Sequence, residues 1–319
     1  MTAPPADTLA AFAAEVGPEA AGSVVAVGGR TQWDVGGALD AGVEVREVRA
    51  PAGVVAVEAA DMTVRVRAGT TVADLDAALT EVGQTVALPD WDGATVGGVL
   101  AVGHSGLRRL GWGPVRDTVL EVRYVGADGA LVKAGGPTVK NVSGFDLCRL
   151  LVGSLGTLGL LGEVVLRTRP LPPAELWLAG TADPFALVGR LHRPAAVLWD
   201  GTTTWVLLDG HPSDVEAQAR LTGLAEAGGP PDLPPHRWSL RPADVGSVAG
   251  SGERFVAEVG VGVVHCDAAP PQRPVDTAVL DLHRRVKARF DPTGRLAPGR
   301  DPLAAAASAV LGAPGPGAP

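Results

Sequence analysis

The sequence holds only two cysteines, Cys148 and Cys266, and no CxxC pair. So few thiols exclude a disulfide-built scaffold, and both are expected to be reduced and buried in a cytoplasmic protein. Lysine is nearly absent. Lys133, Lys140 and Lys287 stand among 27 basic residues against 35 acidic ones, for a net charge of −8. With no basic run and no basic–aromatic interleaving, nucleic acid and anionic membranes are not expected as main partners. No apolar stretch approaches the roughly 20 residues of a membrane span. The nearest, LLVGSLGTLGLLG at 150–162, is closed off by Arg149 and Glu163. The opening residues, MTAPPADTLAAFAAEVG, lack a basic start and a cleavage site and read as a short helix rather than a leader.

Familiar catalytic signatures are missing too. There is no P-loop, HExxH or EF-hand loop, and GHSGL breaks GxSxG by placing Leu107 where the last glycine belongs. GSLGTLG (153–159) contains GxxGxxG, not the GxGxxG of a nicotinamide-binding turn. His104, His192, His211, His236, His265 and His283 show no ligand spacing, so no metal is expected.

What is present is glycine, 43 residues of it, in a chain that is 46% hydrophobic and long enough for one large domain or two ordinary ones. A helix is expected from Asp7 or Thr8 to Val16, then strands at 23–27 and 43–48, and two more in 54–68 around Ala60-Asp61. In 71–83, Thr71 caps a helix whose apolar stripe is Val72, Leu75, Leu79 and Val82, and Gly83 closes it. Gly126-Ala-Asp-Gly129 marks a hairpin, followed by a helix near 145–152 and a strand near 159–168. Composition shifts at PLPP (170–173). Residues 276–290 then form an amphipathic helix with Val279, Leu282, Val286 and Phe290 on one side. The elements alternate without a regular βαβ rhythm, which disfavours a Rossmann sheet.

Three segments draw attention. VAVGGRT (25–31) is a strand emptying into two glycines and a threonine, which can turn its amides toward an anion. Taken alone, it reads more readily as a turn. GATVGGVLAVGHSG (93–106) carries Gly93, Gly97, Gly98, Gly103 and Gly106, where backbone can approach a ligand closely. Between them Ala94, Val96, Val99 and Ala101 suit a flat ring, and Thr95 and Ser105 add hydroxyls; a tightly packed strand pair is the equal alternative. The third is KNVSGFDLCRLLVGSLGTLGLLGEVVL (140–166).

In this order the three segments resemble the flavoproteins with a vanillyl-alcohol-oxidase-type (PCMH-type) FAD-binding domain, and among them most closely the FAD-binding E subunit of bacterial glycolate oxidases. The likeness rests on VGGRT, PDWDGATVGG with GHSGLRRLGWGPVRDTVLEV, KNVSGFDLCRLLVGSLGTLGLLGEV and FDPTGRLAPGR, and covers about 23–170 and 276–300. It implies an α+β, two-subdomain FAD fold over 1–170 with a smaller α+β cap over 171–269. A C-terminal helix and return to the FAD domain would follow at 270–301, and the low-complexity residues 302–319 read as a disordered tail after a short helix. It places Gly28, Gly29, Arg30 and Thr31 around the pyrophosphate. Gly93, Ala94, Thr95, Val96, Gly97, Gly98, Gly103, Ser105 and Gly106 would lie along the pyrophosphate, ribityl chain and ring system, and Gly156, Thr157 and Gly159 nearer the adenine. Relatives with covalently attached flavin have His where Thr31 stands, so the FAD is expected to be non-covalent. Gly103, Leu155, Phe145 and Ala297 stand where relatives carry Asn, Glu, Tyr and Asn, which shifts the hold on the flavin toward backbone amides.

The function so implied is the oxidation of a 2-hydroxy acid such as glycolate by an FAD-carrying subunit. Electrons would pass to a second FAD subunit and an iron–sulfur subunit, at the membrane only through those partners. The alternatives are a stand-alone dehydrogenase and a flavin-free structural subunit. For catalysis the cap region offers only His265, in VGVVHC, and Arg254, with Arg241 as a looser third; a structural histidine at a strand end is the plainer reading of the first.

Overall fold

The computed structural model describes residues 8–89, 91–136, 146–271, 275–307 and 309–310; Asp7, Lys140 and Phe145 lie outside them. The chain divides into two compact units. The first comprises 1–104, 114–170 and 273–305, and the second 105–113, 171–272 and 306–319.

The first unit opens with α1 (Thr8–Val16), whose Leu9, Phe12 and Val16 fall on one buried face. β1 (Ser23–Ala26) and β2 (Val45–Val48) pair in parallel, so the chain between them, residues 27–44, must cross over, and the glycine loop at 28–31 begins that crossing. A five-stranded antiparallel sheet follows, in the order β3-β4-β8-β6-β7. β3 (Val54–Glu58) and β4 (Thr63–Arg67) flank a short 3₁₀ turn at 59–61. α2 (Val72–Thr80) begins at Thr71, whose hydroxyl accepts from the Asp74 amide as its spacing suggests. Val82 is exposed, contrary to the expected stripe, because α2 stops at Thr80. β5 (Gln84–Thr85) comes next.

α3 (Val96–Val102) forms inside the glycine-rich stretch. α4 (Arg109–Trp112) belongs to the second unit. β6 (Val119–Val125) and β7 (Leu131–Gly135) make the hairpin at Gly126–Gly129. α5 (Leu147–Leu151), β8 (Leu160–Arg167) and β9 (Arg169–Pro170), the last paired with β5, finish this part.

Alternation gives the sheet two unlike faces. Val64, Val66, Val122, Tyr124, Val164 and Leu166 pack under α2, α3 and α5. The opposite face carries Glu121 and Glu163, both almost wholly buried, among Arg65, Arg67, Arg123 and Lys133. Cys148 is buried and unbridged, and burial with the nearby Asp146 charge pushes its thiol up to about 11, which keeps it protonated and inert.

In the second unit the pairings are antiparallel throughout, in the order β13-β10-β12-β11-β15-β16-β14-β17. The elements are β10 (Ala174–Gly180), α6 (Pro184–Arg190), β11 (Ala196–Trp199), β12 (Thr204–Gly210), α7 (Pro212–Thr222), β13 (Ala225–Ala227), β14 (His236–Ser239), β15 (Phe255–Glu258) and β16 (Val263–Cys266). Leu178, Val197, Val206, Leu208, Ala257 and Val264 form one buried face with Leu187 of α6 and Val215 of α7. Ala196, Leu198, Leu207 and Val256 face the other way, against Leu107.

The chain then returns to the first unit as α8 (Thr277–Phe290), capped by Asp276. Val286 and Phe290 pack on the sheet core, but Val279 and Leu282 are exposed, because only the C-terminal half of α8 rests on it. Beyond it Leu296 bridges to Val24, and Arg295 donates to the carbonyls of Val16, Gly17, Gly22 and Ala127. Within the tail read as disordered, α9 (Pro302–Ala307) forms and β17 (Ala309–Val310) adds to the open edge of β14.

Candidate functional site

Two adjoining clefts in the first unit share Ala26, Gly28, Thr95, Gly98, Ala101 and Leu155 in their walls and so make one groove. One arm, about 550 Å³ of empty space with its mouth, runs over Ala50, Ala68, Gly69, Gly97, Gly156 and Gly159. The other, about 570 Å³, runs over Gly29, Arg30, Thr31, Gln32, Trp33 and Arg300.

The β1–β2 pairing ends when the Val27 amide donates to the Val48 carbonyl at 2.8 Å. The chain then leaves the sheet. Among the described residues, none of the amides of Gly28, Gly29, Arg30 and Thr31 finds an acceptor in the protein. Four consecutive free donors at the end of a strand constitute an anion-binding concavity. A Cβ on Gly29 would sit 1.8 Å from the Gly93 carbonyl oxygen, so backbone touches backbone where the first two glycine segments meet.

The second segment is a helix, not the tightly packed strand pair that was the alternative reading of its glycines. Thr95 caps it, its hydroxyl accepting from the Gly98 amide at 3.2 Å, and the segment is stitched to α2 by Val72 N to Ala94 O and Val96 N to Thr70 O, both 2.8 Å. The 3.6-residue period therefore sorts its residues. Thr95, Gly98, Ala101 and Val102 line the groove, while Ala94, Val96 and Val99 turn into the core. Ala94, Val96 and Val99 are thus corrected from ring-facing positions to buried ones.

The third segment docks on the end of α3 through Gly153 N to Leu100 O (2.9 Å) and Leu155 N to Ala101 O (2.8 Å). Gly103 ends α3 at φ +75°, and a Cβ there would lie 2.9 Å from Gly153 Cα. The close approach of these two turns accounts for glycine where a side chain was anticipated. Leu155 and Ala297 also occupy left-handed backbone, at φ +54° and +46°.

Of the anticipated flavin residues, Gly28, Gly29, Arg30, Thr31, Thr95, Gly97, Gly98, Gly156 and Gly159 come together in the groove walls. Gly93, Gly103 and Thr157 lie behind them, Thr157 with its hydroxyl on the Ser154 carbonyl at 2.7 Å. Ser105 and Gly106 belong to the second unit. Gln32, Trp33 and Arg300 were not anticipated. The guanidinium carbons of Arg30 and Arg300 lie 4.7 and 4.6 Å from the Trp33 ring centre, and Gln32 holds His104 at 3.1 Å. Burial lowers the Arg300 pKa, partly offset by the Asp34 charge. The sequence signal that reached Arg300 was FDPTGRLAPGR, one of the segments carrying the family likeness.

No carboxylate lines the groove among the described residues, and the cations and free amides gather at one end while Ala, Gly and Leu wall the other. That donor set fits a dinucleotide, with a diphosphate on the amides and flat rings along small side chains. Of the two catalytic candidates, Arg254 is exposed and spent on Asp267 and the Asp232 carbonyl. His265 is buried in the second unit, its Nε2 2.9 Å from Glu258 Oε1.

Comparison with known proteins agrees with this fit. Residues 11–135 match a family described as an FAD binding domain. The chain is 33% identical over 193 residues to glycolate oxidase subunit GlcE of Escherichia coli (strain K12), covering 57% of this chain and 55% of that one. It is 44% identical over 82 residues to a D-lactate dehydrogenase of Archaeoglobus fulgidus, covering 26% and 18%. The chain thus spans about half the length of the first relative and less of the second. In fold it is similar to alkyldihydroxyacetonephosphate synthase, with a TM-score of 0.66 at 13% identity, covering 90% of this chain and 74% of that one.

Proposed function

We propose, from the premise that this chain carries a PCMH-type FAD-binding domain over residues 11–135, that it is an FAD-carrying subunit of a 2-hydroxy-acid oxidase assembly. The observation that carries the reading is the groove itself, with four free amides at 28–31 and walls of glycine and alanine. The similarity to a glycolate oxidase subunit supports glycolate as the substrate and a second flavin subunit as partner. When bound, FAD supplies a two-electron acceptor for the hydride of the substrate α-carbon.

The residues of this chain hold and shape. The amides of Gly28–Thr31, with Arg300 nearby, would take the diphosphate charge, since Arg30 is paired with Glu47. Gly98, Ala101 and Gly156 would let flat rings lie against backbone, and Leu155 stands in the wall of both arms. Thr31 offers no ring nitrogen for a covalent link. Among the described residues no helix is long and apolar enough to cross a membrane.

A second reading has one observation in its favour. The second unit is not as poor in polar groups as its sequence suggests, since Glu258, His265 and Arg237 gather on one sheet face. On that reading the chain oxidises the acid unaided.

An absorption spectrum of the purified chain, followed by anaerobic glycolate, tests both. A yellow protein is expected, with all of its flavin released to the supernatant by acid precipitation. Bleaching by glycolate alone would favour the unaided enzyme, and bleaching only with its partner would favour the subunit. A colourless chain that takes up no FAD would sink both.

A further inference from the structure

The second unit carries two arginines with a single carboxylate, Glu258, set against them. The guanidinium of half-buried Arg237 on β14 makes no hydrogen bond or ion pair among the described residues; the same holds for the guanidinium of half-buried Arg109 of α4, two residues after Leu107, which packs on Leu198 and Val256. Neighbouring Arg108, by contrast, is fully engaged with Glu175 and Asp209.

Register places Arg237 directly opposite His265, and His265 directly opposite Val256, so all three share one sheet face. Glu258 joins them, lying opposite Leu198 on that same face. Glu258 and His265 are 3% and 4% exposed and bonded to each other, yet Glu258 Oε2 and His265 Nδ1 have no partner. In the neutral tautomer whose Nε2 donates to the Glu258 carboxylate, Nδ1 is left as an acceptor. Burial lowers the Arg237 pKa; the Glu258 charge opposes this and the Arg109 charge adds to it.

The cluster therefore lacks two things at once. Its guanidiniums lack an anion, the charges of Arg109, Arg237 and Glu258 summing to one positive. Its buried acceptors lack a donor, and buried acceptors are rarely left so. A 2-hydroxy acid carries both missing pieces on adjacent carbons: a carboxylate that a guanidinium fork binds well, and a hydroxyl that donates. We propose that Arg237 and Arg109 form the carboxylate site of the second unit, and that Glu258 and His265 select a ligand bearing a neighbouring hydroxyl. This inference rests on the 2-hydroxy-acid reading given above and adds the residues that would recognise the acid.

Equilibrium dialysis of the whole flavin-loaded chain with radiolabelled glycolate or acetate provides the test. The flavin is first reduced with dithionite, so that no turnover occurs and binding is read apart from activity. The parent is expected to prefer glycolate to acetate. R237Q should raise both dissociation constants at least tenfold with flavin content unchanged. R237K, which keeps the charge and the fold but not the fork, should raise them severalfold. H265Q should bind acetate as the parent does and lose the preference. Unchanged glycolate binding in R237K and in R109Q/R237Q would overturn the site, and equal affinity of the parent for the two acids would overturn the hydroxyl selection. Bleaching of the oxidised parent by glycolate, measured separately, reports on the function itself whichever way the binding falls.

Discussion

Placing a methyl group on Gly29 is expected to empty the groove. In G29A the new Cβ would stand 1.8 Å from the Gly93 carbonyl oxygen and 2.7 Å from its carbon, so backbone, not a pliable side chain, would have to move. Overpacking of this kind costs about 1–3 kcal/mol or more, and the displaced loop is the one whose free amides face the groove. Flavin per chain after dialysis should fall at least tenfold, with a lower melting midpoint. G189A supplies the control: Gly189 lies in exposed helix, its Cβ would meet nothing, and helix propensity predicts a gain of up to ~1 kcal/mol. Full flavin retention in G29A would mean that the contact between the two glycine segments does not shape the site.

The second large effect belongs to Glu163. Its Oε2 lies 2.9 Å from Arg67, which is nearly wholly buried and has no other ion pair among the described residues, and its Oε1 meets Arg65 at 2.9 Å. Removing one member of a buried pair leaves the other charge uncompensated, at ~3–5 kcal/mol. E163A should lose that much in denaturant titration, whereas E216A, which breaks only the exposed pair with Arg220, should change by less than ~1 kcal/mol. The same network sets an acid limit. Burial alone would raise the Glu121 pKa, but hydrogen bonds from Arg65 and Lys133 and their charges outweigh it and hold the carboxyl below its usual value. A depressed carboxylate stabilises the fold above its unfolded pKa of about 4.3, and that contribution is lost as pH falls through the lower folded value. Denaturant midpoints between pH 3 and 7 should therefore fall steeply at the acid end in the parent and less steeply in E121Q.

Much of the first unit could be read from pattern. Thr71 capped the helix it was expected to cap, and the hairpin at Gly126–Gly129 formed, because each depends on neighbours in sequence. The glycine-rich stretch misled for a physical reason. Glycine disfavours helix by only about 1 kcal/mol per residue, and the caps joining α3 to α2 override that, which turned Val96 inward instead of toward a ligand. Val279 and Leu282 recur with helical period, yet periodicity cannot say how much of a helix finds something to lie on. Arg109, Arg237, Glu258 and His265 were beyond reach as a set: they sit on four elements, and only strand register brings the last three to one face.

The order in which the chain is synthesised gives the return of residues 291–300 a further meaning. Arg300 lines the groove, Leu296 bridges to β1, and Arg295 ties down carbonyls from 16 to 22 and at 127. While the ribosome is still translating, the long stretch 171–272 can collapse around its own sheet as soon as it emerges. The cofactor groove has to wait, because one of its walls, at Arg300, is made only after that stretch. A nascent chain that has emerged only as far as about residue 270 would hold a folded second unit and an open, flavin-free first one.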